Sequence, residues 1–541
     1  MRKHSAGRFL APLCCALIAL PSFAQANKNA NMQSPNGQSL VQKELATFEK
    51  RVTVKVLPNG LTLILCDRPE APVFSYFTMV NVGDANDPSG ESGIAHMFEH
   101  LAFKGTKDLG TTNYPAEKAA LAKVEKAYAA YDAEYRKRVG RNPEKLKELH
   151  AQFEVAEHAA NTYVIPNEFT EIAEANGATG VNAETSLDAT QYFWSMPINR
   201  LQLWAYMESD RIANPVPRQF YRERSVVMEE RRMRINSNPI GLLEEQFLAA
   251  AYIAHPYGRP GVGWMSELSQ INATEAAAFH KKYYVPSNIV IAVVGDVSKM
   301  DLPMLEKYFG TIPAGPKPEP MTTVEPKQVA EKSVILKMPT QPLFLEGYHK
   351  PDYRDPDNAV YEAIQDIFSN GRTSRLYRSL VEKQQIAADA EGFTDFPGSK
   401  YPNLFAFFAA PNAGHTPQEM RVAINKEIEK LKTTDVTDAE LEMFKTRARA
   451  DLLRGLDSNQ GIAQELAYYQ QRYGDWRQLF LQLNQIDAVT KADIRRVANK
   501  IFVPSNCTYA MVEYQAPPKP PAAPPGKAAP APQTAAKGGA R

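Results

Sequence analysis

The sequence predicts an α+β protein built from two related halves, and three observations predict it. The tetrapeptide Val-Pro-Ser-Asn begins at Val285 and again at Val503, 218 positions apart. In both copies a helical run leads into it, after Asn272-Ala273-Thr274-Glu275 and after Thr490-Lys491-Ala492-Asp493, and an apolar strand follows. Matching context on both sides of a repeat points to duplication. Within each half, strands come before helices instead of alternating with them, which favours α+β over a doubly wound sheet. The Pro- and Gly-rich stretch FGTIPAGPKPEPMTTVEPK between the copies reads as a linker.

In chain order, MRKHSAGRFLAPLCCALIALPSFAQA has a basic start, a short apolar run and small residues at a cleavage site, the layout of a signal peptide over 1–26. Its apolar run is shorter than the ~20 residues a membrane span needs. No other segment is long and apolar enough to span, so the mature chain is expected in the periplasm or secreted. Residues 27–48 are polar and are expected to form a flexible lead-in. The first domain then runs over 49–309. Thr53 to Cys66 form a strand pair around Pro58-Asn59-Gly60, and Val73 to Val82 form another strand. From 114 to 162 two amphipathic helices are expected around Gly140-Arg141-Asn142-Pro143. Leu121, Val124, Tyr128, Tyr131 and Tyr135 line one; Leu146, Leu149, Phe153, Ala156 and Ala160 line the other. This helical hairpin has no counterpart in the second half. The linker covers 310–329 and the second domain 330–514, with a strand from Ser333 and a helix over Tyr361 to Phe368. The Pro/Ala-rich tail, 515–541, lacks the apolar content to fold and is expected to be disordered.

The 541 residues carry 62 basic and 61 acidic side chains, a formal charge of +1. Loss of the leader, with three basic residues, leaves −2. No basic excess points to nucleic acid. Cys66 and Cys507, the cysteines left after the leader, lie in apolar strand-like runs. A disulfide is chemically open to them in an oxidising compartment; two buried thiols are the plainer reading.

The chemistry concentrates in GIAHMFEHLAFKGT, Gly93 to Thr106. On a helix His96 and His100 project from one face and can both reach one zinc ion at ~2.0–2.1 Å. Glu99 lies beside that face, within reach of a water molecule at the ion. The order is H-x-x-E-H, an inverted zinc-peptidase motif. Two core histidines are the blander reading, but Ile94, Met97, Phe98, Leu101 and Phe103 make a dry wall in which unpaired imidazoles are costly. A catalytic zinc needs a third ligand and an open position. The run YRERSVVMEERRMR offers Glu223, Glu229 and Glu230. Glu223 and Glu230 share a helix face and Glu229 does not; spacing alone leaves the choice open.

These two segments resemble the pitrilysin family of inverted zinc peptidases, which includes insulin-degrading enzyme and the mitochondrial processing peptidases. HPYGRPGVG (255–263), GATGVNAETSLDATQYF (177–193) and NGRTSRLYRSLVEK (370–383) are similar to family segments as well, so the likeness spans most of 50–514. It implies two α/β-roll domains of the pitrilysin type, one Zn2+ per chain, and hydrolysis of short or unfolded peptides. It implies His96, His100 and Glu230 as ligands, Glu99 as the catalytic base and Glu223 as an acid orienting the site. Asn182, Ala183, Glu184 and Thr185 resemble the strand edge along which family members bind substrate. The 129 residues between His100 and Glu230 exceed the family's usual gap by about the length of the helical hairpin.

One departure bears on partners. Family members that act alone carry an arginine, then a tyrosine seven residues later, that contact substrate; the corresponding positions here are Val381 and Ala388. The resemblance therefore implies a second family subunit supplying that pair, or a homodimer. The competing expectation is a structural or peptide-binding subunit that kept the fold without catalysis.

Overall fold

The structure is a computed structural model that describes residues 40–517. The expected signal peptide and all but the first three residues of the expected tail lie outside the described residues. The first half comprises α1 (Leu40–Glu49), β1 (Val52–Val56), β2 (Thr62–Asp67), β3 (Val73–Val80), α2 (Ile94–Leu101), α3 (Tyr114–Tyr135), α4 (Pro143–Asn161) and α5 (Glu168–Ala175). It continues through β4 (Thr179–Thr185), β5 (Thr190–Pro197), α6 (Leu201–Ala213), α7 (Phe220–Arg231), α8 (Pro239–Ala251), α9 (Met265–Leu268), α10 (Ala273–Tyr283), β6 (Ile289–Gly295) and α11 (Leu302–Gly310). The second half comprises β7 (Lys332–Met338), β8 (Leu343–Lys350), α12 (Asn358–Ser369), a π-helical segment (Tyr377–Lys383), β9 (Ala387–Phe396) and β10 (Asn403–Pro411). Then come α13 (Pro417–Thr433), α14 (Asp438–Gly455), α15 (Asn459–Tyr473), α16 (Gln478–Ala488), α17 (Lys491–Ile501) and β11 (Cys507–Tyr514).

Two sheets result, with orders β1-β2-β6-β3-β5-β4 and β7-β11-β8-β10-β9. Apart from β1 their strand orders correspond: β2 to β7, β6 to β11, β3 to β8, β5 to β10, β4 to β9. The Val-Pro-Ser-Asn copies sit at the same place in both, between a capped helix (α10 or α17) and the strand that crosses to the sheet centre. Asn272 with Glu275 and Thr490 with Asp493 each close a reciprocal capping box at the helix start.

Successive residues of a strand face opposite sides, and both sides of both sheets are covered. In the first sheet Leu63, Leu65, Tyr76, Ile291 and Val293 pack on the helices of their own half. Ile64, Phe77, Met79 and Ala292 face the other way, onto a core that includes Ile462, Leu466 and Tyr469 of α15. Gln471 of α15 donates to the Met79 carbonyl (3.0 Å), and Asn459 to that of Val73 (3.2 Å). The second sheet is treated reciprocally. Leu345, Leu404, Ala406 and Val512 meet Leu243, Phe247 and Leu248 of α8, a first-half helix. Lys332 donates to the last carbonyls of α8, Ala250 (2.9 Å) and Ala251 (3.1 Å). Each half thus lends one helix to the other's sheet.

One expectation is corrected. The polar lead-in over 27–48 is not uniformly flexible, because residues 40–49 form α1. Val41 and Phe48 are buried, and Phe48 packs against Trp476 and Phe480; burial of these few apolar side chains outweighs the polar average of the segment. Cys66 and Cys507 lie on different sheets as buried free thiols. Burial pushes Cys66 up to about 12.

The helical hairpin is α3 with α4. It lies along α7: the Tyr128 ring packs, tilted, 4.3 Å from Tyr221, Phe153 meets Tyr221 at 5.0 Å, and Arg224 donates to the Tyr128 hydroxyl at 2.7 Å. The arm braces the helix that carries Glu223 and Glu230.

Candidate metal centre

α2 starts at a glycine because the chain must turn sharply there. Gly93 has φ 91°, and a Cβ on it would lie 2.5 Å from the Val262 carbonyl oxygen. Gly263, with φ +85°, comes equally close to Ser92 from the other side. The HPYGRPGVG loop is therefore wedged against the first turn of α2. Asp87 accepts from Gly93 N (2.6 Å) and Ala95 N (3.1 Å), and so satisfies the open N–H groups there.

On α2 the His96 and His100 rings stand 5.2 Å apart between centroids. α7 brings Glu230 to them. Its Oε2 is 3.1 Å from His96 Nε2 and 3.4 Å from His100 Nε2. A tetrahedral ion with ~2.0–2.1 Å bonds separates its ligand atoms by roughly 3.4 Å, so these separations suit one zinc ion. Among the described residues this is the one His/Cys/Asp/Glu group whose candidate ligand atoms converge, all within 4.8 Å of one another. Glu229, the alternative carboxylate, is exposed and paired to Arg232 at 2.7 Å.

Around the three, further groups fix their orientation. Glu223 sets Oε2 3.7 Å from His100 Nδ1, and its Oε1 accepts from Lys104 at 2.7 Å. Arg234 holds Glu230 Oε1 at 2.7 Å, which leaves Oε2 for the histidines. Sequence reading missed Lys104, Arg234 and Asp87. The first two stand four residues after His100 and Glu230, a helical spacing that signals pairing; the Asp87 cap had no comparable cue.

The electrostatics are set by carboxylates closed around the His100 ring. Burial alone would lower His100, but its bonds to Glu223 and Glu230 outweigh that and carry it up to about 9. Burial would raise Glu230, yet bonds to His100 and His96 and the Arg234 charge hold it well below the carboxylate range. Glu223 is lowered in the same way by His100 and Lys104.

Glu99 is half-buried, with a carboxylate oxygen, Oε2, that is enclosed and without a hydrogen-bond partner. Such an orphan is costly unless something else occupies its lone pairs. It sits next to the histidine face, where a water molecule and a divalent ion would satisfy it, so the residues present fit a zinc centre.

β4 is an edge strand, paired to β5 alone, and it packs beside α2. Asn182 and Glu184 are exposed on it; Ala183 and Thr185 are half-buried. Partial desolvation and the Glu99 charge raise the Glu184 carboxyl. In the second half, α12 stands where α2 does in the first and carries no histidine. Val381 packs against the core from the π-helical segment, and Ala388 is exposed on edge strand β9.

Residues 63–136 match the model of insulinase (peptidase family M16), and residues 270–447 match that of the M16 inactive domain. The zinc protease PqqE of Helicobacter pylori is 28% identical over 490 residues, covering 87% of this chain and 94% of that protein. The crystal structure of a protease from Helicobacter pylori aligns with a TM-score of 0.70 at 25% identity, over 85% of this chain and 99% of the other. A peptidase M16 inactive domain from Pseudomonas fluorescens aligns at 0.67 with 17% identity, over 87% and 99%, a likeness of fold. With two sheets of matching topology and an H-x-x-E-H helix on the first, the chain belongs to the pitrilysin (M16) family of peptidases.

Proposed function

We propose that the chain is a zinc-dependent endopeptidase that hydrolyses short or unfolded peptides. The observation that carries this is the meeting of His96 Nε2, His100 Nε2 and Glu230 Oε2 beside the unpartnered Glu99 carboxylate oxygen. Zinc held by those three residues supplies Lewis acidity to the scissile carbonyl and to the attacking water. Glu99 takes the water proton as the oxygen adds to the carbonyl carbon. It then delivers that proton to the amide nitrogen, which leaves as an amine when the C–N bond breaks. Lys104 and Glu223 hold the His100 ring, and Arg234 holds Glu230, through these steps. The open side of β4 takes an extended peptide as an added strand, bonded through its main chain at Asn182, Ala183, Glu184 and Thr185. Folded proteins offer no such free strand, which is why short or unfolded chains fit.

Val381 and Ala388 offer no side-chain donor to the developing oxyanion, a deficit worth roughly 10²–10³ in rate by analogy with oxyanion holes. The active form in this reading is a dimer, either with a second family subunit that brings the donors or with another copy of the chain. The N-terminal leader supports export to the periplasm or beyond.

Zinc content and cleavage of a quenched peptide, measured on this chain alone and with a candidate partner, test the proposal. One zinc per chain with cleavage is expected. Zinc without cleavage under any pairing would replace it with a structural or peptide-binding subunit, the reading that Val381 and Ala388 favour.

A further inference from the structure

The second half holds a cavity of about 660 Å³ between the C-terminal end of α12, the π-helical segment, α13 and the start of α14. It shares no residue with the metal centre. Its volume falls within the ~300–1,000 Å³ of small-molecule sites, and nine of its 17 lining residues are charged.

Almost all of that charge is already matched. Arg375 forks onto Glu440 at 2.7 and 3.0 Å. Arg447 reaches Asp366 at 3.1 Å, and Lys430 reaches Glu427 at 2.7 Å. The last acid of the wall, Asp435, pairs outward with Arg495 at 3.0 Å. Every carboxylate lining the cavity therefore has a cation. Two cations, Arg378 and Lys383, remain, whose side-chain charges have no hydrogen bond or ion pair to any described residue. They stand five residues apart on the π-helical segment, where the wider turn brings such positions one above the other.

A second, independent observation comes from Ser374. The residue is part of the cavity lining, is 3% exposed, and has an enclosed hydroxyl without any hydrogen-bond partner. A buried hydroxyl left unpaired costs free energy comparable to a lost hydrogen bond, and a turn of its χ1 towards the cavity would let an occupant satisfy it. One buried donor, one free guanidinium and one free ammonium form the donor set of a doubly charged oxyanion. The cavity exceeds what a bare phosphate needs, so it leaves room for an organic remainder.

We propose that this cavity is a binding site for a phosphate-bearing small molecule, with Arg378 and Lys383 neutralising the phosphate and Ser374 donating to it.

Isothermal titration of the full chain at low ionic strength tests this, with inorganic phosphate in one arm and phenyl phosphate in the other. The protein is first freed of metal, so that phosphate affinity of the metal centre does not contribute. Saturable binding of one equivalent is expected, tighter for phenyl phosphate when the organic remainder is held and equal when free phosphate is the natural occupant. Arg378→Ala with Lys383→Ala should weaken it at least tenfold and Ser374→Ala severalfold. Lys426→Ala, an exposed lysine outside the cavity, should leave it unchanged. Both cations are exposed, so their loss does not threaten folding. Absence of saturation, unchanged affinity in the double variant, or an equal loss in Lys426→Ala would overturn the site.

Discussion

Arg218 and Glu117 form an ion pair with neither side chain reaching solvent, Nε 2.6 Å from Oε1 and Nη2 2.9 Å from Oε2. The remaining guanidinium protons go to the carbonyls of Lys104, Thr106 and Leu109. One residue thus fastens three things together: the base of α3, the segment that follows α2, and the entry to α7. Removing one partner of a buried pair leaves an uncompensated charge. Arg218→Met should therefore cost roughly 3–5 kcal/mol of stability, read by chemical denaturation, whereas the joint replacement with Glu117→Leu should recover much of it.

Glu99→Gln keeps the shape of the side chain and removes its basicity. The zinc content should be unchanged, because Glu99 is not among the three converging groups. Peptide turnover should fall by roughly 10²–10⁴. Cleavage at the parental rate would remove Glu99 from the proton transfer.

Glu223 and Arg234 contribute to the centre by orienting it. Glu223→Gln and Arg234→Ala should each weaken zinc binding by about 10–100-fold, measured by competition with a chromogenic chelator. Lys104→Ala should follow Glu223→Gln in the same assay, since Lys104 acts through that carboxylate. A loss in Arg232→Ala as large as in Arg234→Ala would indicate a general charge effect, because Arg232 pairs with the exposed Glu229 instead.

Glu346 is wholly buried in the second sheet, with Tyr348, Asn425 and Cys507 around it. Burial outweighs their hydrogen bonds and raises it from the ordinary 4.5 to about 7. Between those values the native state holds a proton that the unfolded chain has released, so stability falls as pH rises through this window. The loss amounts to about 3 kcal/mol by pH 8. Glu346→Gln should flatten the pH profile of stability and exceed the parent protein at pH 8, with little difference at pH 4.

The duplication, the two sheets and the H-x-x-E-H helix were legible because each rests on a local pattern: a repeated tetrapeptide in matching context, apolar strand-like runs with a hairpin turn, two histidines one turn apart. The convergence of Glu230 on His96 was not legible from spacing, since the two are 134 positions apart and Glu223 offered the same helix face. The family pattern pointed to Glu230, and the geometry brings that carboxylate to both imidazoles. Folding of 40–49 as α1 escaped notice because Val41 and Phe48 are too few to show a period, and their burial depends on Trp476 and Phe480 far along the chain. The cavity beside Ser374 had no signal at all: its wall draws on four separated segments, each an ordinary charged helix end or turn when read alone.

The loan of α8 and α15 between the sheets has a consequence for dissecting the molecule. A chain severed near residue 320 yields an N-terminal piece with Ile64, Phe77 and Ala292 stripped bare, and a C-terminal piece in which Leu345, Leu404 and Val512 are likewise uncovered. Neither fragment is a natural unit of purification, and only when both are present together does each regain its missing cover. Boundaries drawn at the proline-rich joint are boundaries of ancestry, not of autonomous folding.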